Sequence, residues 1–278
     1  MSLKINEIIE GCLLGDGCIF LDRKKYSRFK LTAKDRDFLE WVKQLLIKKF
    51  KVYISFDKRN RTHILYSSSN PFFTLFREKW YKKIKGRIIK TIPRDLELSP
   101  ATLLFWYLGD GSLVRRKNDS TRVPFIVLAT NNFLKEDIDF LIQKLKELNL
   151  NFYSVKYKSG FTGKPCGYCL YSKTQDGTPF RFFKLIGLEC PKEIARCSTG
   201  RKGKYGELKF FKDKWPTEED WIKILSNVKI GKILRKRRLE LGLTQAQLAE
   251  KVGVRREMIR DVELEKRNLN VKNFRKIL

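Results

Sequence analysis

Two stretches of this chain end alike, and that repetition limits its possible folds more than any other feature. INEIIEGCLLGDGCI (residues 5–19) and ATLLFWYLGDGSL (residues 101–113) each run apolar for about a short helix and stop at Gly-Asp-Gly. The two aspartates, Asp16 and Asp110, lie 94 residues apart. Each is expected at the C-terminal end of a helix, where free carbonyls already carry negative partial charge. A carboxylate there is unfavourable unless a cation meets it. A hard divalent cation, taking the carboxylates together with oxygens of Gly15 and Gly109, answers that need. The glycine after each aspartate, Gly17 or Gly111, suits a helix that ends in the left-handed conformation. One Gly-Asp-Gly is an ordinary turn; two copies followed by matching sequence are not.

The match continues downstream. FKLTAKDRDFLEWVKQLL (29–46) lines up with IVLATNNFLKEDIDFLIQKL (126–145). Hydrophobic period and turn residues predict helices at 5–15, 35–50 and 70–83, with strands at 18–23, 28–33, 52–56 and 62–67. KGRIIKTIPRDLELSP (85–100) reads as a basic connector. The second half then predicts helices at 101–109, 135–148 and 178–187, and strands at 112–116, 123–130, 152–158 and 167–172. The fold class is α+β: two pseudo-twofold αββαββα halves, 1–98 and 99–198, with the opening helices as the seam. A chain that carries both halves is expected to be a monomer.

Charge narrows the partner. Lys plus Arg number 60 against 31 acidic residues, a net +29, which points to a polyanion, nucleic acid before membrane. There is no secretory leader and no apolar run of about 20 residues, so a soluble, cytoplasmic, nucleoid-associated chain is expected. Six cysteines in such a chain read as reduced thiols. Cys166-x-x-Cys169, with Cys190 and Cys197 loosely spaced beyond it, is not expected to form a zinc knuckle. The single histidine, His63, excludes a metal nuclease core built on paired histidines.

The motifs IEGCLLGDG (9–17) and LLFWYLGDG (103–111), each opening an αββαββα unit, resemble a LAGLIDADG homing endonuclease of the single-chain, two-motif type. KTIP (90–93) resembles one branch of that family. The resemblance implies that the two helices pack side by side and bring Asp16 and Asp110 together around Mg²⁺ or another divalent cation such as Mn²⁺. It implies hydrolysis of both strands of duplex DNA at that composite site. It further implies a basic residue near the pocket; Lys34 matches by position, Asn131 is its counterpart, and Lys90 is a third candidate. The two sheets should form a saddle whose open faces read the major groove, with Lys30, Tyr53, Arg59, Arg61 and Tyr66 in the first half. In the second half the same role falls to Arg115, Arg122, Tyr153, Lys156, Lys158 and Lys173.

Residues 199–227 read as a basic linker with one short helix capped by Thr217. In 228–278, LGLTQAQLA followed by GV-x4-I closely resembles the Cro/repressor-type helix-turn-helix. Its third helix should enter a major groove with Arg255, Arg256 and Arg260, while Gln245, at a helix N-terminus, meets a phosphate. Three function classes follow: a DNA endonuclease with an added DNA-binding module, a transcription regulator on a nuclease-derived scaffold, and an RNA intron maturase.

Overall fold

The computed structural model of the protein describes residues 4–22, 26–116, 122–158, 165–202, 206–226, 228 and 231–267. The first half runs α1 (Ile5–Leu14), β1 (Gly17–Leu21), β2 (Ser27–Ala33), α2 (Arg36–Leu46), β3 (Val52–Asp57), β4 (Thr62–Ser67) and α3 (Pro71–Trp80). A hairpin follows, β5 (Tyr81–Ile84) and β6 (Arg87–Lys90). The second half runs α4 (Pro100–Asp110), β7 (Gly111–Val114), β8 (Phe125–Ala129), α5 (Lys135–Glu147), β9 (Phe152–Lys158), β10 (Pro165–Ser172) and α6 (Thr178–Ile186). It too is followed by a hairpin, β11 (Ser198–Lys202) and β12 (Leu208–Phe210). The remaining helices are α7 (Glu218–Ser226), α8 (Gly231–Glu240), α9 (Gln245–Val252) and α10 (Arg256–Glu263).

Local chemistry sets the boundaries. Asp35 caps α2 by accepting from the N–H groups of Asp37 and Phe38, Asn70 caps α3 before Pro71, and Ser99 caps α4 before Pro100. Each half holds a four-stranded antiparallel sheet, ordered β1-β2-β4-β3 and β7-β8-β10-β9. Alternation buries Phe29, Leu31 and Leu65 in one sheet, and Ile126, Leu128 and Leu170 in the other. The opposite faces are left open.

The seam depends on small residues. A Cβ on Gly11 would lie 2.5 Å from the Thr102 carbonyl oxygen and 2.6 Å from the Phe105 Cβ, so no larger residue fits there. Four residues on, a Cβ on Gly15 would sit 3.3 Å from the Gly109 Cα. Phe105 itself turns aside and stacks on Trp41 at 5.4 Å. The apolar sides of α1 and α4 thereby merge into one buried core spanning both halves.

Three expectations are corrected. Gly17 and Gly111 are not left-handed: Gly111 is extended, with φ −85°, and Gly17 lies within β1. Glycine is required because a Cβ would lie 2.6 Å from the Cys12 carbonyl oxygen at Gly17, or 2.1 Å from Tyr107 Cδ2 at Gly111. Second, the helix expected to about Lys83 stops at Trp80, and the basic connector is a hairpin turning at Lys85 and Gly86, both with positive φ. Third, the stretch expected as a linker is largely packed structure. Phe211 and Trp215 join the main core, and Asp220 on α7 pairs with Arg115 at 2.7 Å. Trp221 touches the main core and also the separate helix-turn-helix core of Leu234, Leu248, Ile259 and Val262. The helix-turn-helix is therefore mounted on α6 through α7 rather than hung on a loose tether.

Candidate functional site

The close contact of Gly15 with Gly109 brings the C-terminal ends of α1 and α4 together, and Asp16 and Asp110 stand at those ends. A Cβ on Gly109 would be 3.6 Å from the Asp16 carboxylate, so the first half's aspartate lies against the second half's helix end. Asp16 is exposed and Asp110 half-buried. Asp16, Lys34, Gly109 and Lys214 line one cavity of about 240 Å³, together with Ser198 and Thr199 of β11.

Each helix end is met by a lysine. Lys90 Nζ donates to the carbonyls of Gly17 at 2.9 Å and Gly15 at 3.4 Å. Lys214 Nζ donates to the last carbonyls of α4, those of Tyr107 at 3.1 Å, Leu108, and Gly109 at 3.3 Å. Cations at helix C-termini offset the carbonyl dipoles and soften the repulsion that two facing carboxylates would feel. Burial pulls the Lys90 ammonium below the usual lysine range, against the opposing pull of Cys18, Asp110 and Asp16. Lys214 was not foreseen from the sequence. The available signal was Lys214-Trp215-Pro216, an echo of Lys90-Thr91-Ile92-Pro93 one half earlier.

Other expected residues divide. Lys34 lines the cavity, but its Nζ donates to the carbonyls of Asn60 (3.0 Å) and Arg61 (3.4 Å) in the β3–β4 turn, away from the carboxylates. Asn131 follows β8 and backs onto Gly167, whose Cβ position is 2.4 Å from the Asn131 carbonyl oxygen. Register places Cys18, Lys30, Tyr66 and Tyr53 in one row across the first open face. The equivalent row of the second half is Ser112, Val127, Tyr171 and Tyr153. Arg59, Arg61, Arg122 and Lys173 are exposed near strand ends and turns.

Arg115 and Lys156 are corrections. The Arg115 guanidinium is held by Asp220 and by the carbonyls of Asp213 and Trp215, so it secures α7 instead of facing a phosphate. Lys156 pairs with Tyr168, one step from Ser154 opposite the fully buried Leu170, and thus belongs to the row behind the sheet. The Lys158 side chain lies outside the described residues. In the helix-turn-helix, Gln245 donates to Glu263 at 2.8 Å, and Glu263 is paired with the buried Arg238, so Gln245 steadies the module internally. Arg255 and Arg256 are exposed at the start of α10, and Arg260 leans on Asp261 at 3.0 Å.

Two αββαββα halves joined through paired helices, with an aspartate at each helix end, define a duplicated, two-motif fold. Residues 6–180 match the LAGLIDADG DNA endonuclease family, and residues 234–278 match a helix-turn-helix family. The chain belongs to the LAGLIDADG DNA endonuclease family. An uncharacterized protein of Methanocaldococcus jannaschii, MJ1098, is 36% identical over 158 residues, 53% of this chain and 58% of that protein. The chain thus spans only a little over half the length of this curated relative. Among solved structures, the homing endonuclease I-WcaI bound to its DNA recognition sequence is 21% identical with a TM-score of 0.51, covering 65% of this chain and 79% of that one. Full-length DUF199/WhiA from Thermatoga maritima is 14% identical with a TM-score of 0.46, covering 100% of this chain and 92% of that one. The first of these likenesses shows the shared fold.

Proposed function

We propose that the protein is a site-specific endonuclease that cuts both strands of duplex DNA, acting as a monomer. The observation that carries this reading is the intact pair Asp16 and Asp110 at touching helix ends, each beside a lysine-capped carbonyl cluster. Family membership and the +29 charge support it.

The donor set fits a hard cation. Both carboxylates and the carbonyls of Gly15 and Gly109 are oxygen donors, as Mg²⁺ or Mn²⁺ prefers. Among the described residues no three His, Cys, Asp or Glu side chains converge, so remaining positions fall to water and DNA phosphate oxygens. A cation held by Asp16 and Asp110 would lower the pKa of the attacking water and stabilise the departing 3′ oxygen. The chain's own residues do the rest. Lys90 and Lys214 hold the helix ends in place and put positive charge beside the carboxylates. Row residues such as Lys30, Tyr53, Tyr66, Tyr153 and Tyr171 face the base edges. Arg255, Arg256 and Arg260 extend recognition to one side.

A DNA-binding regulator on the same scaffold is the second reading, favoured by the helix-turn-helix mounted on α7 and by lysines already bonded to the carbonyls of Gly15 and Gly109. Incubating the purified protein and Mg²⁺ with a plasmid library of candidate sites separates the two. Linearised plasmid at one sequence supports the endonuclease; selective retention without any cut supports the regulator.

A further inference from the structure

We propose that the hairpins β5–β6 and β11–β12 are a pair of DNA-gripping arms, crossed over the seam, that hold backbone phosphates on either side of the cut. This rests on the endonuclease reading and names the surface through which the carboxylates are held on the duplex.

The hairpins are equivalent. Each is closed by the same bond: Thr91 N–H to the Trp80 carbonyl at 2.7 Å, and Phe211 N–H to the Cys197 carbonyl at 3.0 Å. Each is also fastened to the opposite half, at the first turn of the helix that follows the second strand. Ser198 N–H donates to Asp35 at 2.6 Å, and Phe211 stacks on Phe38 at 4.6 Å. In mirror fashion, the Ile92 N–H bonds Asp137, Arg94 pairs with Asp137 at 3.0 Å, and Lys90 lies 5.6 Å over the Phe133 ring. The crossing spends buried and half-buried groups on holding two short hairpins over the seam.

Their roots lie at the carboxylates. Lys90 ends β6 on the carbonyls flanking Asp16, and Ser198 and Thr199 begin β11 in the wall of the Asp16 cavity. Their outer parts are cationic. Lys82, Lys83, Lys85 and Arg87 are all exposed, and no acidic residue occurs between 81 and 90. On the second arm Lys202 and Lys209 are exposed, with Glu207 beside Lys209 at 3.8 Å, so the first arm carries the larger excess of positive charge. A bland solvated hairpin has no need of four cations without one acid. The Lys85-Gly86 turn, with φ of 47° and 79°, is the tight two-residue kind that keeps such an arm straight. A four-residue strand spans about 13 Å at roughly 3.3 Å per residue, enough to reach phosphates about four base pairs from the cut.

The test is the salt dependence of binding to a synthetic duplex of random sequence, read by fluorescence anisotropy. The arm variant is Lys82→Thr, Lys83→Thr, Lys85→Asn and Arg87→Thr; asparagine tolerates the positive φ at that position. A control removes the same charge at the C-terminal ends of α2 and α5, as Lys48→Gln, Lys51→Gln, Lys144→Gln and Lys146→Gln. Each lost phosphate contact lowers the slope of log K against log salt by about 0.9, so the arm variant should lose about 2 to 4 and bind more than about tenfold more weakly, with the control losing under about 1. If the fourfold variant does not fold, Lys83→Thr with Lys85→Asn reads the same quantity, with a loss of about 1 to 2. An arm variant with the wild-type slope, or a control that loses as much, overturns the arms. Failure of the wild-type protein to bind duplex DNA instead overturns the endonuclease reading beneath them.

Discussion

Lys90 and Lys214 occupy similar places in the two halves: Lys90 reaches the carbonyls of Gly15 and Gly17 on either side of Asp16, and Lys214 the last carbonyls of α4, which presents Asp110. Lys214 is only 8% exposed and makes three bonds there. Lys214→Met should strip a donor from each of those carbonyls, that of Tyr107 keeping the Gly111 N–H, and cost about 1–3 kcal/mol. Urea unfolding measures that cost. In the cleavage assay, Lys90→Met and Lys214→Met should each slow cutting more than they weaken binding; unchanged rates would mean the lysines only support the fold.

Glu10 gives a pH signature for the seam. Burial, then Asp95 and Glu7, push its carboxyl from 4.5 up to about 7. A carboxyl raised on folding takes up protons between those values, so its ionisation opposes folding as pH rises. Relative to Glu10→Gln, the wild-type protein should match in melting temperature below pH 4.5, fall progressively behind between pH 4.5 and about 7, and stay behind by a constant amount above that. Parallel melting curves at all pH values would contradict this environment.

The two saddle rows differ in charge at one equivalent position, Lys30 against Val127, besides the small Cys18 against Ser112. A lysine there favours guanine, and a valine favours the thymine methyl, with about 1–3 kcal/mol at stake for each base pair. Selection from a randomised target should yield guanine on the first half's side and thymine on the second's. Val127→Lys should shift only the latter.

Truncation after Ser226 should shorten the footprint on one side and leave the cut position unchanged, since the core residues Phe211 and Trp215 remain. A footprint identical to full length would assign the helix-turn-helix another role.

Much of this was legible in the chain itself. The repeated Gly-Asp-Gly and the alignment of 29–46 with 126–145 carried the sheets, the helices and the seam between α1 and α4, because hydrophobic period and helix caps are local signals. The hairpins were not, since YKKIKGRIIK is short and cationic and the helix before it supplies no stop signal; Lys85-Gly86 was the one clue. Arg115 misled because its partner Asp220 is 105 residues away, a pairing no local pattern encodes. Gly17 and Gly111 were the right residues for the wrong reason. Crowding by Cys12 and Tyr107, rather than left-handed backbone, excludes a side chain there.

The central claim is that Asp16 and Asp110 together cut DNA. The most direct measurement compares wild type, Asp16→Asn and Asp110→Asn on one cleaved target, with and without Mg²⁺, scoring binding and cleavage in the same samples. Double-strand cleavage should require Mg²⁺ and disappear in both variants, at most leaving a nick in one strand, while binding stays within about threefold because phosphate contacts dominate affinity. Metal-dependent double-strand cleavage at the wild-type rate in either variant would contradict the account.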